Sequence, residues 1–186
     1  RVFGWGYRPA ETTNAHARRV REGFFEKYCK GNGLDVGFGG DPITSDCQCF
    51  DYERGDAQYI SIIKDNSFDF VYASHVIEHM VDPMVSLKNW WRVLKRHGYL
   101  ILYLPHRDLY EKKKTLPSLY NPDHKHFFLI DHDELPDTLG IVPLIKKTLP
   151  DGEIIYVKVC SEGHTITDPL IHSDGEYSIE VVIRKP

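Results

Sequence analysis

The chain has 186 residues, of which 41% are hydrophobic and 27% charged, and a net charge of −4 at pH 7. That length suits one domain, residues 1–186, with a sizeable core. The acidic balance argues against a broad nucleic-acid surface, and the longest apolar runs, such as residues 99–104, fall far short of a membrane span.

No charged-then-apolar leader opens the chain, so the reading is a cytoplasmic protein with no membrane partner. Four cysteines, Cys29, Cys47, Cys49 and Cys160, read as reduced structural residues. Cys47 and Cys49 lack the second pair that a zinc site needs.

Residues 1–10 place Phe3, Trp5 and Tyr7 among Gly4 and Gly6, a segment suited to fold over a pocket or to pack on the surface. Residues 12–30 read as a helix with Ala17, Val20, Phe24 and Tyr28 on one apolar face. Thr12, Thr13 or Asn14 could cap it, and Gly31-Asn32-Gly33 stops it. A strand over 33–38 and a second over 46–51 follow. Only about eight residues separate them, fewer than a helical crossover needs. Either the crossover is abbreviated or the second strand lies elsewhere.

Residues 68–73 form the clearest central strand, with the turn Asn66-Ser67 before it and Ser74-His75 after it. Asp82-Pro83 opens a helix faced by Met84, Leu87, Trp91 and Leu94. Lys95, Arg96 and His97 fall in its last turn and Gly98 ends it. A strand over 99–104 closes at Pro105. Residues 107–115 suit a short helix, and the run Glu111-Lys112-Lys113-Lys114 reads as a solvated face. Pro117, Pro122, Pro136 and Pro143 then exclude long elements through residue 144. Strands over 154–160 and 177–184 end the chain, joined by a loop over 163–175. This alternation predicts an α/β fold around a mostly parallel sheet.

The centre of the pattern is Leu34-Asp35-Val36-Gly37-Phe38-Gly39-Gly40, a buried strand ending in a glycine turn. Ligands in such folds sit at the carboxyl ends of the strands. A dinucleotide fingerprint would put glycine where Pro42 stands and would follow with a helix that has no room here. An acid ahead of the glycines also disfavours a pyrophosphate. Asp35 points instead to a ligand with a positive group, such as a sulfonium amino acid joined to a nucleoside. Asp35, Asp51 and Asp56 are ordered to serve its ammonium, its ribose and its adenine amine.

Asp35-Val36-Gly37-Phe38-Gly39-Gly40 resembles the first motif of the class I S-adenosylmethionine-dependent methyltransferases. Phe68-Asp69-Phe70-Val71, His75-Val76-Ile77-Glu78-His79, Asp82-Pro83 and Arg92-Val93-Leu94-Lys95 are similar to the series of the type 11 subgroup. The resemblance covers roughly residues 15–140. It implies a Rossmann-like, mostly parallel seven-stranded sheet with an antiparallel last strand, and S-adenosyl-L-methionine as cofactor. It implies cofactor contacts by Asp35, Gly37, Phe38, Gly39, Ser74 and His75, a ribose contact by Asp51 (or by Asp46, since the segment is short) and adenine contacts by Asp56 and Ala57. Asp41 in place of a further glycine, and Lys95-Arg96-His97-Gly98 in place of a Lys-Pro-Gly-Gly turn, depart from the pattern.

Methyl transfer from a sulfonium needs alignment and exclusion of water, and an oxygen acceptor also needs a base. His106, just past the strand over 99–104, is the leading base candidate, followed by His124 and His126 in Asn121-Pro122-Asp123-His124-Lys125-His126. Glu78 and His79 read as structural or capping groups. The spacing of His106, His124, His126 and His132 matches no compact zinc pattern, so no metal is expected. No Asn-Pro-Pro-Tyr or Asp-Pro-Pro-Tyr follows Ser74, which disfavours nucleic acid as acceptor and leaves a small molecule or sugar. A non-catalytic module of the same fold and a nicotinamide-dependent oxidoreductase are the competing readings.

Overall fold

The computed structural model describes residues 11–186; the aromatic, glycine-rich segment 1–10 lies outside the described residues. The expected amino-terminal helix is three short pieces, α1 (Glu11–Asn14), α2 (His16–Arg21) and α3 (Phe24–Tyr28). Gly23, at φ +64°, breaks the helix between the last two. The buried face also differs from the apolar spacing. Val20 is 55% exposed, whereas Arg18 and Arg19 are buried. The arginines turn inward because acids on a distant strand meet them there.

The strands are β1 (Gly33–Val36), β2 (Gln48–Phe50), β3 (Phe68–Ser74), β4 (Leu94–Pro105), β5 (Phe127–Leu129), β6 (Thr138–Gly140), β7 (Glu153–Cys160) and β8 (Ser178–Arg184). The main sheet runs β2-β1-β3-β4-β8-β7. β2, β1, β3 and β4 are parallel, and β8 is antiparallel to both of its neighbours. The mostly parallel sheet with an antiparallel last strand is therefore present. It has six strands among the described residues rather than seven. Residues 55–67 contain no strand; there Tyr59 and Ile60 both donate to the carbonyl of Asp56. The β1–β2 crossover is indeed abbreviated: β2 pairs in parallel, Leu34 opposite Gln48, across a connection of turns with no helix.

Helix α4 (Pro83–Val93) starts as expected, with Asp82 accepting from Met84 N (2.9 Å) and Val85 N (3.2 Å). It ends at Val93, five residues before Gly98. Lys95 to Gly98 belong to β4, where the register jumps from Phe68↔Leu94 to Phe70↔Tyr99. Lys95 leaves the helix to meet Asp69 at 3.0 Å. The expected helix at 107–115 is only α5 (Arg107–Tyr110). The proline-rich region is more regular than expected. It holds the parallel pair β5–β6 and α6 (Ile141–Thr148), whose first turn accommodates Pro143.

One side of the sheet packs Leu34, Val36, Leu100 and Val181 against Trp90 of α4 and Ile145 of α6. The other packs Phe70, Tyr72, Ile101 and Tyr103 against Ala15 and Phe24. Above this second side Arg18 bridges Glu176 (2.9 Å) and Glu180 (2.8 Å), and Arg19 reaches Glu180 (2.7 Å) and Tyr72 (3.0 Å). All four charged side chains are enclosed, so each needs its partners. No described helix is long and apolar enough to cross a membrane.

Candidate active site

A cavity of about 840 Å³ opens at the carboxyl ends of β1 and β3. Its floor is the glycine turn. Gly37 sits at φ +69°, where a Cβ would fall 2.4 Å from Val76 Cγ2. Gly39, at φ +56°, would meet nothing nearer than Gly37 O at 3.9 Å. The first glycine is needed for packing and backbone conformation, and the second leaves bare backbone facing open space. The turn is pinned from below, because Gly37 N donates to Phe50 O (2.7 Å) and Gly39 N to Asp51 Oδ2 (3.3 Å).

His75 follows β3 at φ +52°, a left-handed conformation that aims its ring into the cavity. Its Nε2 meets Ser178 Oγ at 2.9 Å, and burial holds its pKa well below the usual histidine value. Ser74 also lines the cavity, with its hydroxyl buried and unpartnered among the described residues. Glu11 enters from α1. The Tyr177 hydroxyl donates to Glu11 Oε1, Oε2 has no partner among the described residues, and burial pushes its pKa up to about 7.

The far wall is Tyr110, Tyr120, His124 and His172, joined to Glu78 and His79 of the single turn Ile77–His79. Glu78 is fully buried, and burial raises its pKa to about 7. Burial lowers the pKa of His79. Burial opposes the charged form of His124 too, but the hydrogen bond to Glu111 and the charge of Glu78 outweigh it, so its pKa is raised.

Of the residues singled out in the sequence, Gly37, Phe38, Gly39, Ser74, His75 and His124 meet in this cavity. The others stand outside its wall. Asp35 is fully buried beneath the turn. Its Oδ2 accepts from Ile43 N (2.8 Å), its Oδ1 has no partner among the described residues, and burial raises its pKa to about 7. Asp51 braces the turn, as above. Asp46 is exposed. Asp56 accepts from Gln58 N (2.8 Å), and the carbonyl of Ala57 accepts from Trp90 Nε1 (2.8 Å).

Two base candidates are also placed differently from expectation. His106 caps α5, its Nδ1 accepting from Asp108 N at 3.2 Å, and burial lowers its pKa. The strand runs on to Pro105, so His106 turns into the cap rather than onto the rim. His126 directs Nε2 towards Val81 O at 3.4 Å. The chain turns just before them, with His124 N donating to Asn121 O (3.1 Å), and of the two histidines it is His124 that lines the cavity.

Glu78 and His79 are the residues underrated in the sequence. The signal was there: a Glu-His pair three residues past His75, and a second acid-histidine pair in Asp123-His124. Nothing in the sequence marked His172 or Tyr120, which a long loop and a proline-rich segment deliver. The lysine run also departs from a solvated face. Glu111 is buried against His124, and Lys112 Nζ donates to the carbonyls of Ile166 (3.1 Å), Asp168 (3.0 Å) and Ile171 (2.7 Å).

Among the described residues, the cavity is lined by the acids Glu11, Asp41 and Glu78 and by no lysine or arginine. Glu11, Ser74 and Glu78 of this lining each carry a buried oxygen with no hydrogen-bond partner among the described residues. A lining of this kind suits a ligand that carries a sulfonium and an ammonium, and repels a diphosphate.

Residues 26–102 match a methyltransferase domain family. No curated protein matches the chain by sequence. Among solved structures, the PH0226 protein of Pyrococcus horikoshii is 16% identical over 100% of this chain and 97% of its own, with a TM-score of 0.56. A methyltransferase of Thermotoga maritima, described as a possible histamine N-methyltransferase, is 18% identical over 94% of this chain and 99% of its own, with a TM-score of 0.54. The [4+2]-cyclase SpnF is 14% identical over 91% of this chain and 82% of its own, at 0.50. The identities are low, so these structures speak to the fold, and the matched domain speaks to the chemistry. The glycine turn, the sheet order and the methyltransferase-domain match over residues 26–102 point together to a class I methyltransferase fold that takes S-adenosylmethionine as its cofactor.

Proposed function

We propose that the enzyme transfers the methyl group of S-adenosylmethionine to an oxygen of a small-molecule or sugar acceptor. The observation that carries this reading is the continuity of one cavity from the glycine turn to the Glu78–His79–His124 wall. The turn and His75 hold the cofactor end, and the polar far wall takes the acceptor. S-adenosylmethionine brings a methyl group already activated for displacement. The chain's own residues therefore have to bind both partners, align them and exclude water.

The acids Glu11, Asp41 and Glu78 in the lining support a neutral or cationic acceptor over a nucleic-acid strand. Four unpaired cysteines support a cytoplasmic setting.

Calorimetry with S-adenosylmethionine and S-adenosylhomocysteine, followed by transfer of a labelled methyl group into pooled sugars and metabolites, tests the reading. Binding of both cofactor forms and label in an ether or ester product are expected. Label on nitrogen or in RNA would overturn the acceptor assignment, and binding without turnover on any pool would favour a non-catalytic module.

A further inference from the structure

Glu78 poses a problem that methyl-donor binding does not solve. Its carboxylate is fully enclosed, and neither oxygen has a hydrogen-bond partner among the described residues. An enclosed acid of this kind needs a compensating donor or cation. Three imidazole nitrogens stand around Oε1: His75 Nδ1 at 3.8 Å, His79 Nε2 at 3.8 Å and His124 Nε2 at 3.9 Å. These separations are too long for hydrogen bonds. They match the spacing of ligands around one ion, since atoms each about 2.0–2.2 Å from a metal lie about 3–4 Å apart.

The orientation of the two rings is fixed from behind. His79 Nδ1 lies 2.9 Å from Asp123 Oδ2, and His124 Nδ1 lies 2.5 Å from Glu111 Oε1. A carboxylate only accepts, so each Nδ1 carries the proton and each neutral ring turns the lone pair of Nε2 towards Glu78. Carboxylate–histidine pairs of this form orient metal-binding imidazoles. The backbone supports the same arrangement: Lys125 N (2.7 Å) and His126 N (3.3 Å) donate to Glu78 O and tie the His124 segment to the Ile77–His79 turn. Two imidazole nitrogens and one carboxylate thus converge on one point. Ligand atoms of Glu78, His79 and His124 all lie within 4.8 Å of one another, so seating an ion asks for a sub-ångström contraction.

We propose that Glu78, His79 and His124 bind one divalent transition-metal ion, of the zinc, cobalt or manganese class, at the acceptor end of the cavity. Two imidazoles and one carboxylate suit such ions better than magnesium or calcium, which prefer all-oxygen sets. Three protein ligands leave coordination positions open, as at metal sites that receive a substrate. All three residues line the cavity, so the open side faces it. The ligand it would take there is an oxygen donor, either water or an acceptor hydroxyl. This last point rests on the oxygen-acceptor reading above, whereas the ion site itself does not.

The experiment is metal binding to the chelator-stripped full chain. Zinc, manganese and cobalt chlorides are titrated separately by calorimetry, and the cobalt form is followed by visible absorption. One equivalent per chain with visible cobalt bands is expected, with affinity about 10–100-fold weaker in Glu111→Gln, whose residue only orients His124. His124→Ala and Glu78→Gln should abolish the one-equivalent binding, and His126→Ala should leave it intact. S-adenosylhomocysteine affinity, measured on every variant, reports whether the fold and the cofactor end survive. No stoichiometric binding of any of the three ions, or binding equally strong in His124→Ala and His79→Ala, overturns the proposal. Metal binding without methyl transfer to any oxygen acceptor would overturn the acceptor reading alone.

Discussion

The guanidinium of Arg18 lies 2.9 Å from Glu176 Oε1 across 158 residues of chain, with both side chains shut away from solvent. This contact fastens α2 to the start of β8 and so sets where Glu11 and Thr12 enter the cavity. Arg18→Met would leave Glu176 short of its partner and Glu180 weakened in the interior. A loss of about 3–5 kcal/mol in unfolding free energy is expected, read by urea denaturation. Cofactor affinity should fall with it, because the α1 wall loses its anchor.

The glycine turn separates two kinds of requirement. Gly37→Ala meets both a left-handed backbone and Val76 at 2.4 Å, whereas Gly40→Ala, at φ +88°, meets nothing within 4 Å. Gly40→Ala should cost about 1–2 kcal/mol of stability from backbone strain alone. Gly37→Ala should cost more and should weaken S-adenosylhomocysteine binding by at least about tenfold. Calorimetry and thermal melts on the pair check this.

Asp35 makes stability depend on pH. Its carboxyl titrates near 7 in the folded chain against an ordinary 3.8, because burial disfavours its charge. Between those values the folded chain keeps a proton that the unfolded chain has lost. The stabilisation is therefore full below the ordinary pKa and disappears as pH rises to about 7. The full effect amounts to about 4 kcal/mol. Asp35→Asn should flatten the fall in melting temperature between pH 5 and pH 8. Glu11, raised to about 7 by the same cause, should leave a residual slope.

His106 offers a discriminating measurement. As the cap of α5 it contributes about 1 kcal/mol at most. His106→Ala should lower the melting temperature slightly and leave both cofactor affinity and turnover unchanged. A loss of turnover with stability intact would return His106 to the chemistry.

Much of the scaffold was legible because it follows local rules. The alternation of strands, the Asp82-Pro83 helix start and the glycine turn each announce themselves in a few neighbouring residues. Helix α2 misled for the opposite reason: Arg18 and Arg19 are buried by Glu176 and Glu180, acids far along the chain that no local spacing can pair with them. The same distinction runs through the site. Gly37, Gly39 and His75 belong to one strand-end grammar, whereas the wall opposite combines Glu78, Glu111, Asp123 and His124 from separate segments. Asp56 and Ala57 were tied to adenine through family order alone; here Asp56 accepts from Gln58 N and the carbonyl of Ala57 accepts from Trp90 Nε1.

The loop over 163–175 is gripped in an unusual manner. Lys112 Nζ and the Tyr120 hydroxyl hold it through the carbonyl oxygens of Ile166, Asp168, Pro169 and Ile171, not through its side chains. A clasp of this type reads backbone and ignores residue identity. Side chains fix the rest of the loop, since Asp174 accepts from Thr165 N (2.7 Å) and Ile166 N (2.9 Å) and Ser173 donates to Leu109 O (2.6 Å), so the freedom to vary falls on the positions held by backbone atoms, Ile166, Pro169 and Ile171.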